Sequence, residues 1–89
     1  MKEINLDGKQ MTSILATHLY IADMMQLPQY YGDSLDMLSY VLCAIEEKTQ
    51  ISINHLDDIR YYLADYTDAL LAVFNDAANV NSNIVIKLF

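Results

Sequence analysis

Leu27-Pro28-Gln29-Tyr30-Tyr31-Gly32-Asp33-Ser34-Leu35-Asp36 is the stretch on which the reading of this chain turns. Pro28 fixes its own φ and pushes Leu27 out of the α region, so a helix arriving from the N-terminal side must stop there. Gly32 allows a tight or left-handed turn. Asp33 or Ser34 is placed to cap a second helix, with Asp36 completing a capping box. The stretch therefore separates two helices by a loop bearing Tyr30 and Tyr31, then restarts the chain on carboxylates. A loop carrying two tyrosines, followed by a helix with an acidic first turn, is a candidate contact surface.

Outward from this break, hydropathy patterning sets the remaining elements. Upstream, Thr12 or Ser13 caps a helix running to about Gln26. Ile14, His18, Ile21 and Met25 form its apolar stripe, which Leu15 and Leu19 broaden. Glu3-Ile4-Asn5-Leu6 alternates and ends in the turn signal Asp7-Gly8, as a first strand does. Downstream, the second helix is expected from Ser34 to about Glu47, burying Leu35, Leu38, Val41, Leu42 and Ile45. Its opposite stripe is Asp36, Tyr40, Cys43 and Glu47. Thr49-Gln50-Ile51-Ser52-Ile53 alternates and is β-branched, hence a second strand. A short helix follows from about Asn54 over Leu56, Ile59, Tyr62 and Leu63, and a last one starts near Thr67 with Leu70, Val73, Phe74 and Ala77 on its inner face. Asn79 to Asn83 is a polar turn. Ile84-Val85-Ile86-Lys87-Leu88-Phe89 is almost continuously apolar and reads as a strand buried on both faces. Strands separated by helices require parallel crossovers, so the expected fold is α/β, a three-stranded parallel sheet flanked by helices in three layers.

The chain has 89 residues, enough for one domain spanning 1–89 and one small core. Its 54% apolar content argues against disorder. No apolar run reaches the roughly 18 residues of a membrane span, and the N-terminus has no signal-peptide h-region, so a cytoplasmic protein is expected. One cysteine, Cys43, fits a reducing compartment. The formal charge of −7 disfavours nucleic acid as a direct ligand and favours a basic partner.

Catalytic chemistry is missing from the pattern. His18 lies on an apolar stripe and reads as a hydrogen-bonded core or boundary residue. His55, beside Asp57 and Asp58, has no further ligand at metal-binding spacing. Cys43 has no nearby base in sequence, and two glycines cannot make a phosphate loop. Tyr61, Tyr62 and Tyr66 are expected at the core edge with their hydroxyls in water. The chain is expected to bind proteins and catalyse nothing, with no metal and no cofactor.

The decad resembles the Leu-Pro-x-Tyr-Tyr-Gly-x-Asn-Leu-Asp motif of the barstar family, intracellular inhibitors of the secreted bacterial ribonuclease barnase. The likeness extends to Ile4 through Gly8, Ser13-Ile14, His18, Val73-Phe74-Asn75-Asp76-Ala77 and the Ile84-Val85-Ile86 strand. It implies a three-stranded parallel sheet flanked by helices. It also implies that the tyrosine loop and the acidic second helix plug a ribonuclease active site, carboxylates standing in for RNA phosphates. By this resemblance Tyr30 and Gly32 are loop contacts, and Asp36 is an acidic contact on the second helix. Asp76 matches a glutamate of the last helix. Ser34 replaces an asparagine, Ser39 a tryptophan, and Tyr40 the aspartate that enters the phosphate site. The expected partner surface is thus Tyr30, Gly32, Asp33, Ser34, Asp36, Tyr40 and Asp76. The expected partner is a small basic ribonuclease or, alternatively, another toxin with a basic cleft. A second copy of the chain on the tyrosine surface stays open. Gly32-Asp33-Ser34-Leu35-Asp36 is also similar to the Asp-Ser-Leu site of acyl carrier proteins, where Ser34 would carry phosphopantetheine. Carriers are four-helix bundles, however, and the strand-like termini speak against one.

Overall fold

The computed structural model describes residues 1–27 and 34–89. Elements follow in the order β1 (Lys2–Asp7), a 3₁₀ turn (Gly8–Gln10), α1 (Ile14–Met25), α2 (Leu35–Cys43), β2 (Thr49–Asn54), α3 (Leu56–Leu63), α4 (Tyr66–Val80) and β3 (Ile84–Leu88). The strands form one parallel sheet in the order β1-β2-β3. Ile4 lies opposite Ile51, which lies opposite Ile86; two residues on, Leu6, Ile53 and Leu88 share a row. The fold is α/β with the parallel sheet that the alternation of strand and helix patterns dictates.

The expected three layers are not what forms. The side chains at Ile4, Leu6, Ile51, Ile53 and Ile84 are buried in one core with Met11, Ile21, Leu38, Leu42, Ile59, Leu70 and Phe74. On the opposite face Glu3, Asn5, Val85 and Lys87 are exposed. There Gln50 donates from Nε2 to Ser52 Oγ at 3.4 Å along the central strand. Helices thus cover one face, giving two layers. The topology supplies the reason: with strand order 1-2-3, two right-handed crossovers advance in the same direction and land on the same side. The reading of β3 as buried on both faces fails with it, since only Ile84 is buried and Ile86 half-buried.

Local chemistry ends the helices. Ser13 caps α1, its Oγ accepting from Ala16 N at 3.0 Å. Gln26 closes the helix in the left-handed region (φ 55°), and Leu27 N reaches back to Ala22 O at 2.9 Å, the Schellman pairing that releases the chain before Pro28. His18, Ile21 and Met25 are buried as the stripe requires, but Leu15 and Leu19 are 58% and 63% exposed and Ile14 46%. The buried face of α1 is narrower than its apolar face, because the small sheet offers α1 little surface beyond β1 and the 3₁₀ turn. Tyr66 is also not left to water: its hydroxyl lies 2.7 Å from Nε2 of the buried His18.

Two joints carry backbone constraints. Gly8 opens the 3₁₀ turn, which packs on α3 so closely that a Cβ would collide with His55 O and lie 2.7 Å from Asn54 O. Ala64, between α3 and α4, adopts φ 49°, ψ −124°, a region suited to glycine. Holding alanine there costs about 1–3 kcal/mol. Ala64→Gly is therefore expected to raise stability by about 1 kcal/mol after the added chain entropy of glycine is subtracted. An unchanged or lower urea midpoint would show that the strain is absent.

Candidate protein-contact site

The site begins where the chain re-enters helix at Ser34. Ser34 is extended (φ −108°, ψ 148°), and its Oγ accepts from Met37 N at 3.1 Å. Its carbonyl accepts from Leu38 N at 3.1 Å. Ser34, not Asp33, is the cap residue, so Asp36 falls at the second helical position and Met37 at the third. The capping box expected through Asp36 therefore does not form. The consequence favours recognition: the exposed Asp36 carboxylate has no hydrogen-bond or ion-pair partner among the described residues, and it sits in the first turn, where the helix dipole stabilises a negative charge. Replacing Ser34 by Ala should cost about 1 kcal/mol of stability. A serine whose hydroxyl served only a partner would show no such cost in a urea titration.

One turn on from Asp36, Tyr40 is 68% exposed. Spacing of four residues puts Asp36 and Tyr40 on one stripe of α2, with Cys43 following, also exposed. Leu38 and Leu42 are fully buried on the inner stripe, and Leu35, Met37, Val41 and Ile45 pack partly against the core. This division fixes which side of α2 faces out. The helix packs along α4, where Asp76 is exposed. Ser39, half-buried, adds little surface. Of the sequence-predicted contact residues, Ser34, Asp36 and Tyr40 are brought together on α2, and Asp76 is carried by its neighbour. Tyr30, Gly32 and Asp33 lie outside the described residues.

The helix expected to reach about Glu47 stops at Cys43. Ala44 N is shared between Tyr40 O (3.2 Å) and Val41 O (3.3 Å), and Ile45 N donates to Leu42 O at 3.3 Å, tightening the last turn. The side chain of Asn81, just past α4, donates from Nδ2 to Leu42 O (3.1 Å), Cys43 O (3.3 Å) and Ile45 O (2.9 Å). Sequence reasoning placed Asn81 in a polar turn and gave it no role. An asparagine directly after a helix is a capping signal, but the helix it caps here lies 36–39 residues away.

Elsewhere a cleft of about 500 Å³ opens at the carboxyl ends of β2 and β3, lined by Asn54, His55, Leu56, Asp57, Asp58 and Phe89. His55 there lies 3.9 Å from Asp7 and 3.8 Å from Asp58. Among the described residues no group of three or more His, Cys, Asp or Glu side chains could hold a metal ion, and no helix is long and apolar enough to cross a membrane.

A family model described as Barstar (barnase inhibitor) matches residues 1–89, the full length of the chain. The chain belongs to the barstar family. A relative from Bacillus subtilis (strain 168), described as "Putative ribonuclease inhibitor YrdF", is 27% identical over 78 residues, covering 86% of either chain. The barstar-family assignment agrees with the parallel sheet and rules against the four-helix carrier architecture, because both β1 and β3 are paired strands. Within this barstar-family chain Ser34 is occupied as a helix cap.

Proposed function

We propose that this chain binds a small basic ribonuclease and occludes its active site, with the acidic start of α2 and residues 28–33 as the plug. The observation that carries the reading is the outward stripe of α2, where Asp36 has no partner among the described residues and Tyr40 is exposed, in a barstar-family chain of net charge −7. A ribonuclease cleft binds polyphosphate through Arg, Lys and His, so an acidic surface is steered toward it and then held by charge-assisted hydrogen bonds. Asp36 supplies charge, as do Asp33 and Asp76; Tyr30 and Tyr40 supply stacking area, and Gly32 puts no side chain in the way of the partner. The protein binds and does not catalyse, and it acts in the cytoplasm as a single domain.

Tyr40 gives specific support to a second reading. Where the family places a phosphate-mimicking aspartate, an exposed aromatic fits a cleft that presents a base-stacking or guanidinium surface. The partner is then a toxin whose basic cleft differs from that of barnase.

RNA cleavage by a panel of small bacterial ribonucleases, with and without one equivalent of this protein, decides between them. The panel should include barnase-like enzymes and ribonuclease toxins. Stoichiometric inhibition of a barnase-like member supports the first reading. Inhibition confined to another toxin supports the second. No inhibition in any member overturns the ribonuclease assignment, and sedimentation equilibrium of the free chain then tests the tyrosine surface as a contact between copies.

A further inference from the structure

We propose that Asn81 is the positioning residue that anchors the C-terminal end of α2 and sets its tilt, and with it the placement of Asp36 and Tyr40. The functional half of this inference rests on the inhibitor reading above. Carbonyls at a helix C-terminus have no intrahelical partners and carry the negative end of the dipole. In α2 no basic side chain occupies the last turn. Asn81 answers this need from across the fold: one amide nitrogen is shared by the carbonyls of Leu42, Cys43 and Ile45.

Both ends of the amide are used. Asn81 Oδ1 accepts from Asn83 N at 3.0 Å, and Asn83 Nδ2 donates to Ile45 O at 3.3 Å. The backbone closes the same unit, with Ile84 N donating to Asn81 O at 3.1 Å and Thr49 N to Asn83 O at 2.8 Å. The C-terminus of α2, the end of α4, and the starts of β2 and β3 thus meet at the Asn81–Asn83 turn, whose side-chain bonds to α2 come chiefly from Asn81. The inner contacts of α2, through Leu38 and Leu42, are apolar and non-directional. They fix which side of α2 faces the core, and within the described residues the side-chain bonds that fasten its C-terminal end beside α4 come from Asn81, with Asn83 adding one to Ile45 O.

The test uses the full-length chain with two substitutions. Asn81→Asp keeps the acceptor for Asn83 N, removes both donors and sets a negative charge beside three carbonyls. Asn81→Ala removes the side chain without adding charge, so a folding defect peculiar to the aspartate leaves the question answerable. Residual dipolar couplings of the ¹⁵N-labelled proteins report the orientation of α2 against the sheet, and amide exchange reports its last turn. The expected result is a reoriented α2, with exchange at Ala44 and Ile45 faster by about tenfold, while the sheet and α1 keep wild-type couplings. Couplings of α2 that superpose on wild type in both variants would overturn the proposal, whatever happens to thermal stability. Barnase serves as the binding probe. Faster dissociation of the variants, about tenfold, ties the pose to recognition. Equal dissociation rates for variants and wild type refute that tie. If the wild-type protein does not bind barnase, the couplings still decide the role of Asn81, and only the barnase-like reading is lost.

Discussion

Gly8→Ala is expected to lower stability by about 3 kcal/mol or more, among the largest effects of any one-carbon change in this chain. The added Cβ would collide with His55 O and meet Ile59 Cγ1 at 2.6 Å and Asn54 O at 2.7 Å. An isoleucine side chain can turn aside; two backbone carbonyls at the β2–α3 junction cannot do so without moving the strand end and the helix start together. The neighbourhood is also tied down. Asp7 N donates to Tyr20 Oη at 2.8 Å, Lys9 N donates to Asp7 Oδ1 at 2.9 Å, and Met11 N donates to Gly8 O at 3.0 Å just before the fully buried Met11. For a domain of this size each kcal/mol shifts Tm by roughly 4–8 °C, so a fall of roughly 12–24 °C is expected by calorimetry. Lys9→Ala, at the exposed neighbouring residue, is the control and should move Tm little. A Gly8→Ala protein melting within a few degrees of wild type would show that the turn stands farther from α3 than described.

Tyr40→Ala is expected to cost at least about 2 kcal/mol of partner affinity, roughly a thirtyfold weaker complex, with folding stability changed by no more than about 0.5 kcal/mol. The asymmetry follows from position. The side chain is 68% exposed in the free chain, so its removal uncovers nothing, whereas a bulky aromatic at the middle of a contact helix has the area and the low rotamer entropy of an anchor. Asp36→Ala should weaken the same complex by a different route. Loss of an exposed carboxylate slows association and flattens its dependence on salt, while loss of Tyr40 speeds dissociation. Stopped-flow association at two ionic strengths separates the routes, using whichever ribonuclease the chain inhibits. Parallel losses of Tm and affinity in Tyr40→Ala would place the ring in the fold and not in the interface.

Much of this could be read from residue order. Element type followed from period: strands at Lys2–Asp7, Thr49–Asn54 and Ile84–Leu88 came from alternation or β-branched runs, and α1 and α4 from three- and four-residue spacing closed by Ser13 and polar ends. What escaped was decided by partners distant in sequence. The early end of α2 depends on an asparagine that follows a different helix. The hydroxyl of Tyr66 finds His18 from 48 residues away. The layer count escaped because a continuous apolar run such as Ile84–Leu88 looks alike in a strand covered twice and in an edge strand covered once. At the site, the family likeness pointed to Asp36 and Tyr40, four-residue spacing put both on the stripe opposite the apolar one, and packing leaves that stripe outward. The cap fell one residue later than a capping box needs, a shift that competing cap residues in tandem, Asp33 and Ser34, leave undecided by sequence.

The uncovered sheet face has a practical side. Asn5 and Lys87 stand in water on the far side of the sheet from the helical layer, flanking the small Ser52. A fluorophore or surface tether attached there by a cysteine, in a Cys43→Ser background, leaves the outward stripe of α2 unobstructed. The same face sets the point of attachment apart from the helical layer, so a label there reports on α2 without sitting on it.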